Sequence, residues 1–330
     1  NHCRHYVEQV TGRFQLDSTS QVVEVAANDG TLLQFFLQEG IPCVGIEPTA
    51  STAAAAKSKG IPIIEEFFGA KTARQLVEKQ GRADLVVANN VLAHVPDIND
   101  FMKGVAILLK TEGVATFEFP HILHTLEENQ FDTIYHEHFS YLSLATAQRI
   151  VETLGLSIFD VQELPTHGGS LRVFVQPQGS GMRPVSSQVQ AVLLAEQARG
   201  LNTWAAYAGF QSSTDKAKNA FLEFLLKARA EGKKVAAYGA AAKGNTFLNY
   251  AGVRSDLVSF VVDKNPAKQG KYLPGSRIPV VGEAKICEQE PDFVVVLPWN
   301  LITEIRQQLS YIRDWGGKFV TAIPSLTIHP

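Results

Sequence analysis

Val22-Val23-Glu24-Val25-Ala26-Ala27-Asn28-Asp29-Gly30-Thr31-Leu32 passes from a β-branched run through a tight polar loop into a helical pattern. In an open α/β sheet such a turn brings free backbone amides and a helix N-terminus to the carboxyl edge of the strands, where ligands bind. The runs that follow repeat the alternation: residues 43–46 (CVGI), 61–64 (IPII), 83–87 (ADLVV) and 114–117 (VATF) read as strands, with helical patterns between them. Strand then helix, repeated, predicts a parallel, doubly wound sheet. Residues 50–59 are rich in alanine and stop at Gly60, as a helix with a glycine cap should. Residues 157–161 and 171–176 flank the turn Thr166-His167-Gly168-Gly169-Ser170 and predict an antiparallel hairpin closing the sheet.

The chain has 330 residues, long for one hydrophobic core, so two domains are expected. The stretch Pro177-Gln178-Gly179-Ser180-Gly181-Met182-Arg183-Pro184 reads as the linker and sets the division at 1–178 and 179–330. Beyond it, residues 186–231 are mostly helical. Strand runs then restart at 234–238, 257–263, 293–297 and 318–320, predicting a second, smaller Rossmann-like α/β domain. An apolar content of 45% with a net charge of −3 describes a globular chain with no electrostatic case for nucleic acid or an anionic membrane. Cys3, Cys43 and Cys287 are too far apart for a disulfide framework or a metal-ligand pattern, no 18-residue apolar run occurs, and no signal peptide is expected in these residues. A reducing, cytoplasmic location is expected.

The first loop lacks G-x-G-x-x-G, since only Gly30 is present, which disfavours NAD. Glu47 ends the second strand, where a carboxylate can accept hydrogen bonds from both hydroxyls of a ribose. An acidic residue there without a phosphate loop before it suits S-adenosylmethionine; the plainer alternative makes Glu24 and Glu47 solvated strand ends. Candidate cofactor contacts along this edge are Glu24, Ala26, Asn28, Gly30, Leu32, Glu47, Pro48, Asn89 and Asn90.

Asp132-Thr133-Ile134-Tyr135-His136-Glu137-His138-Phe139-Ser140-Tyr141 concentrates two imidazoles, two carboxylates and two phenols. His94, His121, His124, His136, His138 and His167 lie in the same part of the chain, which points to proton transfer near neutrality. If the strip is extended, His136 and His138 share one face while Tyr135 and Glu137 share the other. Hydrogen-bonded packing at loop ends is the competing reading for His94, His121 and His124. The spacing is not His-Glu-x-x-His, and sulfonium chemistry needs no metal ion, so none is expected. In the second half, Tyr238-Gly239-Ala240-Ala241-Ala242-Lys243-Gly244-Asn245-Thr246 leaves a strand for a helix with small residues and one lysine, which suits a pyrophosphate. It is not a Walker A loop, because Lys243 precedes the second glycine.

The blocks EVAANDGTLL (24–33), ANNVLAHVP (88–96), EFPH (118–121), QFDTIYHEHFSY (130–141), THGGSLR (166–172) and YGAAAKGNT (238–246) closely resemble a family of class I S-adenosylmethionine-dependent methyltransferases. That family comprises sugar C-methyltransferases acting on nucleotide-linked 4-keto-6-deoxyhexoses. The resemblance covers nearly the whole chain. It implies His138 as general base, with Tyr135 and Glu137 contacting the sugar or ordering the site and His94 as second candidate for polarising the ketone. The substrate candidates are His121, His136, His167, Gly168, Tyr238, Ala240, Lys243, Asn245 and Trp299, with dTDP one nucleotide the resemblance implies and the sugar expected between domains, its phosphates against the second. Members usually carry an N-terminal cysteine-rich zinc module, and this chain has no such cysteines. The alternatives are an O- or N-methyltransferase on a related sugar, a nucleotide-sugar dehydrogenase or epimerase, and a non-catalytic nucleotide-sugar-binding protein.

Overall fold

The computed structural model describes residues 2–179 and 183–330. In the first sheet the strands are β1 (Val22–Val25), β2 (Cys43–Ile46), β3 (Ile63–Ile64), β4 (Ala83–Asn89), β5 (Leu109–Pro120), β6 (Leu156–Leu164) and β7 (Ser170–Pro177). They lie in the order β3-β2-β1-β4-β5-β7-β6. The first five run parallel, while β7 pairs antiparallel with β5 and β6 antiparallel with β7, so the expected hairpin closes the sheet. Strand order reverses about β1, which has β2 on one side and β4 on the other, and ligands bind at such a switch point. Val23 and Val25 enter one core beside Phe101 and Met102, whereas Val22 enters another with Tyr6 and Phe36. Both faces are covered, which is why these strands read as unbroken apolar runs. Ile61, expected in a strand, instead donates its amide to Ala56 O at the end of the helix Ala50–Ser58, leaving β3 two residues long.

The second sheet contains β8 (Val235–Tyr238), β9 (Val261–Val262), β10 (Val280–Val281), β11 (Phe293–Val296), β12 (Lys318–Thr321) and β13 (Thr327–His329), in the order β10-β9-β8-β11-β12-β13. The run expected over 257–263 yields only β9, because the amides of Leu257 and Val258 both turn back onto Arg254 O.

The chain forms two compact units. The first comprises Asn1–His121, Glu137–Pro165 and Gly169–Arg199, and the second Ile122–His136, Thr166–Gly168 and Gly200–Pro330. The division therefore differs from the expected one after residue 178. The helix Ser187–Arg199 belongs with the first unit because Val189 and Val192 enter its core. Of the expected linker, residues 180–182 lie outside the described residues. Phe131 draws its segment to the second unit, its ring centroid 5.8 Å from Phe247 and 5.4 Å from Tyr250. Among the described residues no helix is long and apolar enough to cross a membrane.

Two of the sequence blocks meet side by side. Glu118 on β5 is in register with Arg172 on β7. Arg172 donates from Nε at 2.7 Å and from Nη2 to Glu118 Oε1, while its Nη1 reaches Gln9 and Gln162, each at 3.1 Å. The guanidinium lies 4.7 Å from the centre of the Tyr6 ring, and both charged side chains are almost fully buried. This pair ties the helix His2–Phe14 to the sheet. Leaving one partner of a buried pair alone costs ~3–5 kcal/mol, whereas replacing both with apolar groups is often neutral. Arg172→Met should therefore destabilise the protein by about that much in urea unfolding, and adding Glu118→Leu should recover at least half of the loss. Additive losses would show that the two side chains are not coupled.

Candidate functional site

The first ligand loop leaves β1 in an uncommon conformation. Ala26, Asn28 and Gly30 have φ of 58°, 52° and 75°, so every second residue is left-handed although only one is glycine. Non-glycine residues held this way cost of order 1–3 kcal/mol each and cluster at ligand clamps. The loop thus keeps the backbone that a glycine-rich loop would adopt, and a glycine fingerprint cannot detect it. At Gly30 a Cβ would stand 2.2 Å from Ile61 Cδ1.

Glu47, buried at the end of β2, holds this loop. Its Oε2 accepts from Asn28 N at 3.0 Å and its Oε1 from Thr49 N at 2.8 Å, with a further lone pair on each oxygen for a ligand. Glu24 is also buried, and its Oε2 has no hydrogen-bond partner among the described residues. Burial, and then the carboxylates of Asp29 and Glu47, push its carboxyl well above the usual range. A cation beside it would offset that cost.

A cavity of about 400 Å³ opens at this edge, where Ala26, Pro48 and His94 are the expected residues that line it. Glu66, Phe67, Phe68, Asp97 and Asp100 line it too and went unrecognised. The available signal was the place of Glu66, Phe67 and Phe68 just past β3 and of Asp97 and Asp100 at the start of the helix Ile98–Leu108 that follows β4. Phe67 is 84% exposed, unusual for so large an apolar ring. Two expected cofactor contacts turn elsewhere. Leu32 packs into the core with Phe36, and Gly30 packs against Ala56 and Ile61. Asn89 ends β4 and Asn90 follows it, both outside the cavity lining, and Asn90 donates its amide to Glu118 O.

Between the turn Phe131–Thr133 and Leu142 the histidine strip is a loop with no strand, so the alternation expected of an extended segment does not apply. Tyr135 and His136 group with the second unit, Glu137 and His138 with the first. Within the first unit, Ala93 O accepts from Phe139 N at 2.7 Å and from Ser140 N at 3.2 Å. This brings the His138 and His94 rings into an edge-to-face contact, with centroids 4.8 Å apart, and places the Tyr141 ring 5.8 Å from that of His138. His94 therefore touches both the cavity and His138. His121 does not share this place. It is 2% exposed, with Nε2 2.7 Å from Glu196 Oε1.

In the second unit, the structure gathers Gly168, Lys243 and Trp299 with two residues absent from the expected set, Gln130 and Asp132. Trp299 Nε1 donates to Asp132 Oδ2 at 2.9 Å. Lys243 Nζ donates to Asn300 and lies 4.5 Å above the Trp299 ring, so the lysine expected to face a phosphate is packed inward. Gly168 has φ 91°, and a Cβ there would fall 2.5 Å from the Trp299 ring; its carbonyl accepts from Gln130 Nε2 at 2.6 Å. His167, beside it, is exposed with φ 56°. Burial pushes the Asp132 carboxyl up to about 6 against the opposing pull of Trp299 and Lys243. Burial likewise lowers Lys243, opposed by Asp132. Tyr238 and Ala240 are engaged elsewhere. The Tyr238 hydroxyl accepts from Gln308 at 2.8 Å, and Ala240 N donates to Asp263 Oδ2 at 2.9 Å. Asn245 is half-buried, with Oδ1 lacking a partner among the described residues. Among the described residues no three His, Cys, Asp or Glu side chains are grouped to hold a metal ion.

Two family models match the chain. A family model described as a methyltransferase domain matches residues 2–161, and one described as a C-methyltransferase C-terminal domain matches residues 165–324. The C-methyltransferase NovU of Streptomyces niveus is 35% identical over 323 residues, which span 98% of this chain and 77% of that protein. The ubiquinone biosynthesis O-methyltransferase of Rhodopseudomonas palustris (strain BisA53) is 28% identical over 94 residues, 28% of this chain and 37% of its own. Among solved structures, magnesium protoporphyrin IX methyltransferase from Synechocystis PCC 6803 with bound SAM shares 15% identity. It covers 52% of this chain and 78% of its own at a TM-score of 0.39.

The Asp132 cluster yields a test independent of any ligand. A carboxyl at about 6 in the folded state and 3.8 in the unfolded chain means that the unfolded chain loses its proton first. Stability from this group is then lost as pH rises from about 4 to about 6, by up to ~3 kcal/mol. Asp132→Asn keeps an oxygen for Trp299 but does not titrate. Urea unfolding of both proteins should show the variant gaining on the parent by about that amount between pH 4 and pH 7. A constant difference across this range would contradict the assignment.

Proposed function

We propose that this chain, which belongs to the C-methyltransferase family and uses S-adenosylmethionine, methylates a carbon beside the ketone of a nucleotide-linked 4-keto-6-deoxyhexose. The observation that carries this reading is the His94–His138 pair, in which one ring lines the cofactor-edge cavity and the other sits on the strip. Carbon is a poor nucleophile until a proton is removed from it. The site therefore needs a base within reach of the transferable methyl group, and it needs stabilisation of the oxyanion that forms.

The residues at the first edge suit the cofactor. Glu47 has lone pairs left for ribose hydroxyls, the buried carboxyl of Glu24 gains from a neighbouring cation, and Phe67 offers an open ring face to a base. When bound, S-adenosylmethionine supplies an electrophilic methyl group. The remaining steps belong to the protein. His138 removes the proton next to the ketone and His94 holds its imidazole edge-on, close enough to the cavity to polarise the ketone oxygen. Tyr135 and Glu137 contact the sugar or order the strip. In the second unit, the amides that open the helix Ala242–Tyr250 are assigned to the substrate's phosphates, with Asn245 beside them. Lys243 donates to Asn300 and packs over the Trp299 ring.

His138→Asn keeps a polar side chain of similar shape and removes the titratable nitrogen. Turnover with a ketosugar nucleotide should fall by about 10²–10⁴ while the affinity for S-adenosylhomocysteine stays unchanged. Near-parental turnover would move the base to Tyr135 or His94. A methyl group found on oxygen or nitrogen by NMR of the product would overturn the enolate route.

A further inference from the structure

The strip carrying His138 is irregular, and a loop holds an imidazole within catalytic tolerance only if its backbone is anchored by buried partners. Ala93 O anchors its middle. Its downstream end is anchored by a residue that lies far away in sequence. Glu196, on the helix Ser187–Arg199, is 3% exposed and directs its carboxylate at the start of the helix Leu144–Glu152. Oε1 accepts from Leu144 N and lies 2.7 Å from His121 Nε2, while Oε2 accepts from Ala145 N at 3.0 Å. The next amide, Thr146 N, is taken by the Ser143 hydroxyl at 3.0 Å. The first turn of that helix thus has its otherwise unpaired amides occupied, and a negative charge sits at its positive end. His121 closes the group, with its amide on Gly169 O and a bridge pairing it with Leu142.

We propose that Glu196 is a positioning residue for the reaction: it ties the downstream end of the strip to the end of β5 and so sets the place of His138 beside His94. This rests on the reading of His138 as the base. Glu196 touches no reacting atom and acts through Leu142–Ser143 and the helix they lead into. A misplacement of about 1 Å at a reacting group can cost about 10²-fold in rate. Glu196→Asp keeps the charge but shortens the reach by one methylene. Glu196→Gln keeps the shape but turns an amide donor toward groups that are themselves donors.

The experiment measures kcat and KM per folded molecule, the affinity for S-adenosylhomocysteine and the melting temperature for Glu196→Asp, Glu196→Gln and His138→Asn. For Glu196→Asp, kcat should fall about 10- to 100-fold, with KM and cofactor affinity within about twofold of the parent. Glu196→Gln should lose at least as much. Should Glu196→Gln not fold, Glu196→Asp decides alone, and should both fail, Ser143→Ala, which removes only the neighbouring cap, should lower kcat without changing KM. Parental kcat per folded molecule with a lowered melting temperature would overturn the proposal by showing a purely structural role. The His138→Asn arm separates the two readings. If that variant keeps its turnover the base assignment fails, whereas if it is inactive and the Glu196 variants have parental kcat, only the positioning role fails.

Discussion

The carboxylate of Glu47 takes the amides of Asn28 and Thr49, and on that capture the first ligand loop depends. Without it, left-handed Ala26 and Asn28 would have little reason to keep conformations that most residues avoid. Elsewhere the same device recurs. Glu118 holds Arg172, Asp132 holds Trp299, and Glu196 holds the start of the helix Leu144–Glu152. Each acid is buried, and each is partnered by a donor on a segment far away in sequence. Removing such a partner strands a charge or an amide in a low-dielectric interior, which makes these junctions rigid.

What these junctions frame is a short route between two chemistries. The cavity beyond β1 and β2 is lined by Glu66, Asp97 and Asp100 and by the exposed ring of Phe67. His94 stands on its wall and meets His138 edge-on. In the family to which the chain belongs, the methyl acceptor is carbon, so a base close to the cofactor edge is the feature that such chemistry demands. The geometry of His94 and His138 is an arrangement of the first unit alone.

Much of the sheet was legible in the sequence, because local apolar runs and glycine stops are local facts. β1 and β2 begin where their runs begin, β8 begins one residue into its run, and the helix from Ala50 ends before Gly60. Failures occurred where a contact distant in sequence decides the outcome. Ile61 reads as strand but caps a helix, and the run at 257 reads as strand but turns back on Arg254. The strip was recognised by its composition, yet its conformation was not, since a loop anchored from Ala93 and Glu196 carries no periodic signal. Glu196 itself looks like any acid on a helix, and its meeting with His121, 75 positions earlier, is a tertiary fact. Glu66 and Phe67 follow β3 in no motif of their own, and only the folded sheet edge brings them onto the cavity.

Proton removal at carbon before methyl transfer is the central claim, and isotope exchange tests it most directly. The protein is incubated in heavy water with a nucleotide-linked 4-keto-6-deoxyhexose and S-adenosylhomocysteine, which cannot donate a methyl group, and the sugar is followed by NMR. Deuterium should enter at one carbon beside the ketone, the same carbon that carries the new methyl group when S-adenosylmethionine is supplied. No exchange above the protein-free rate, or exchange at a different carbon from the one methylated, would contradict it.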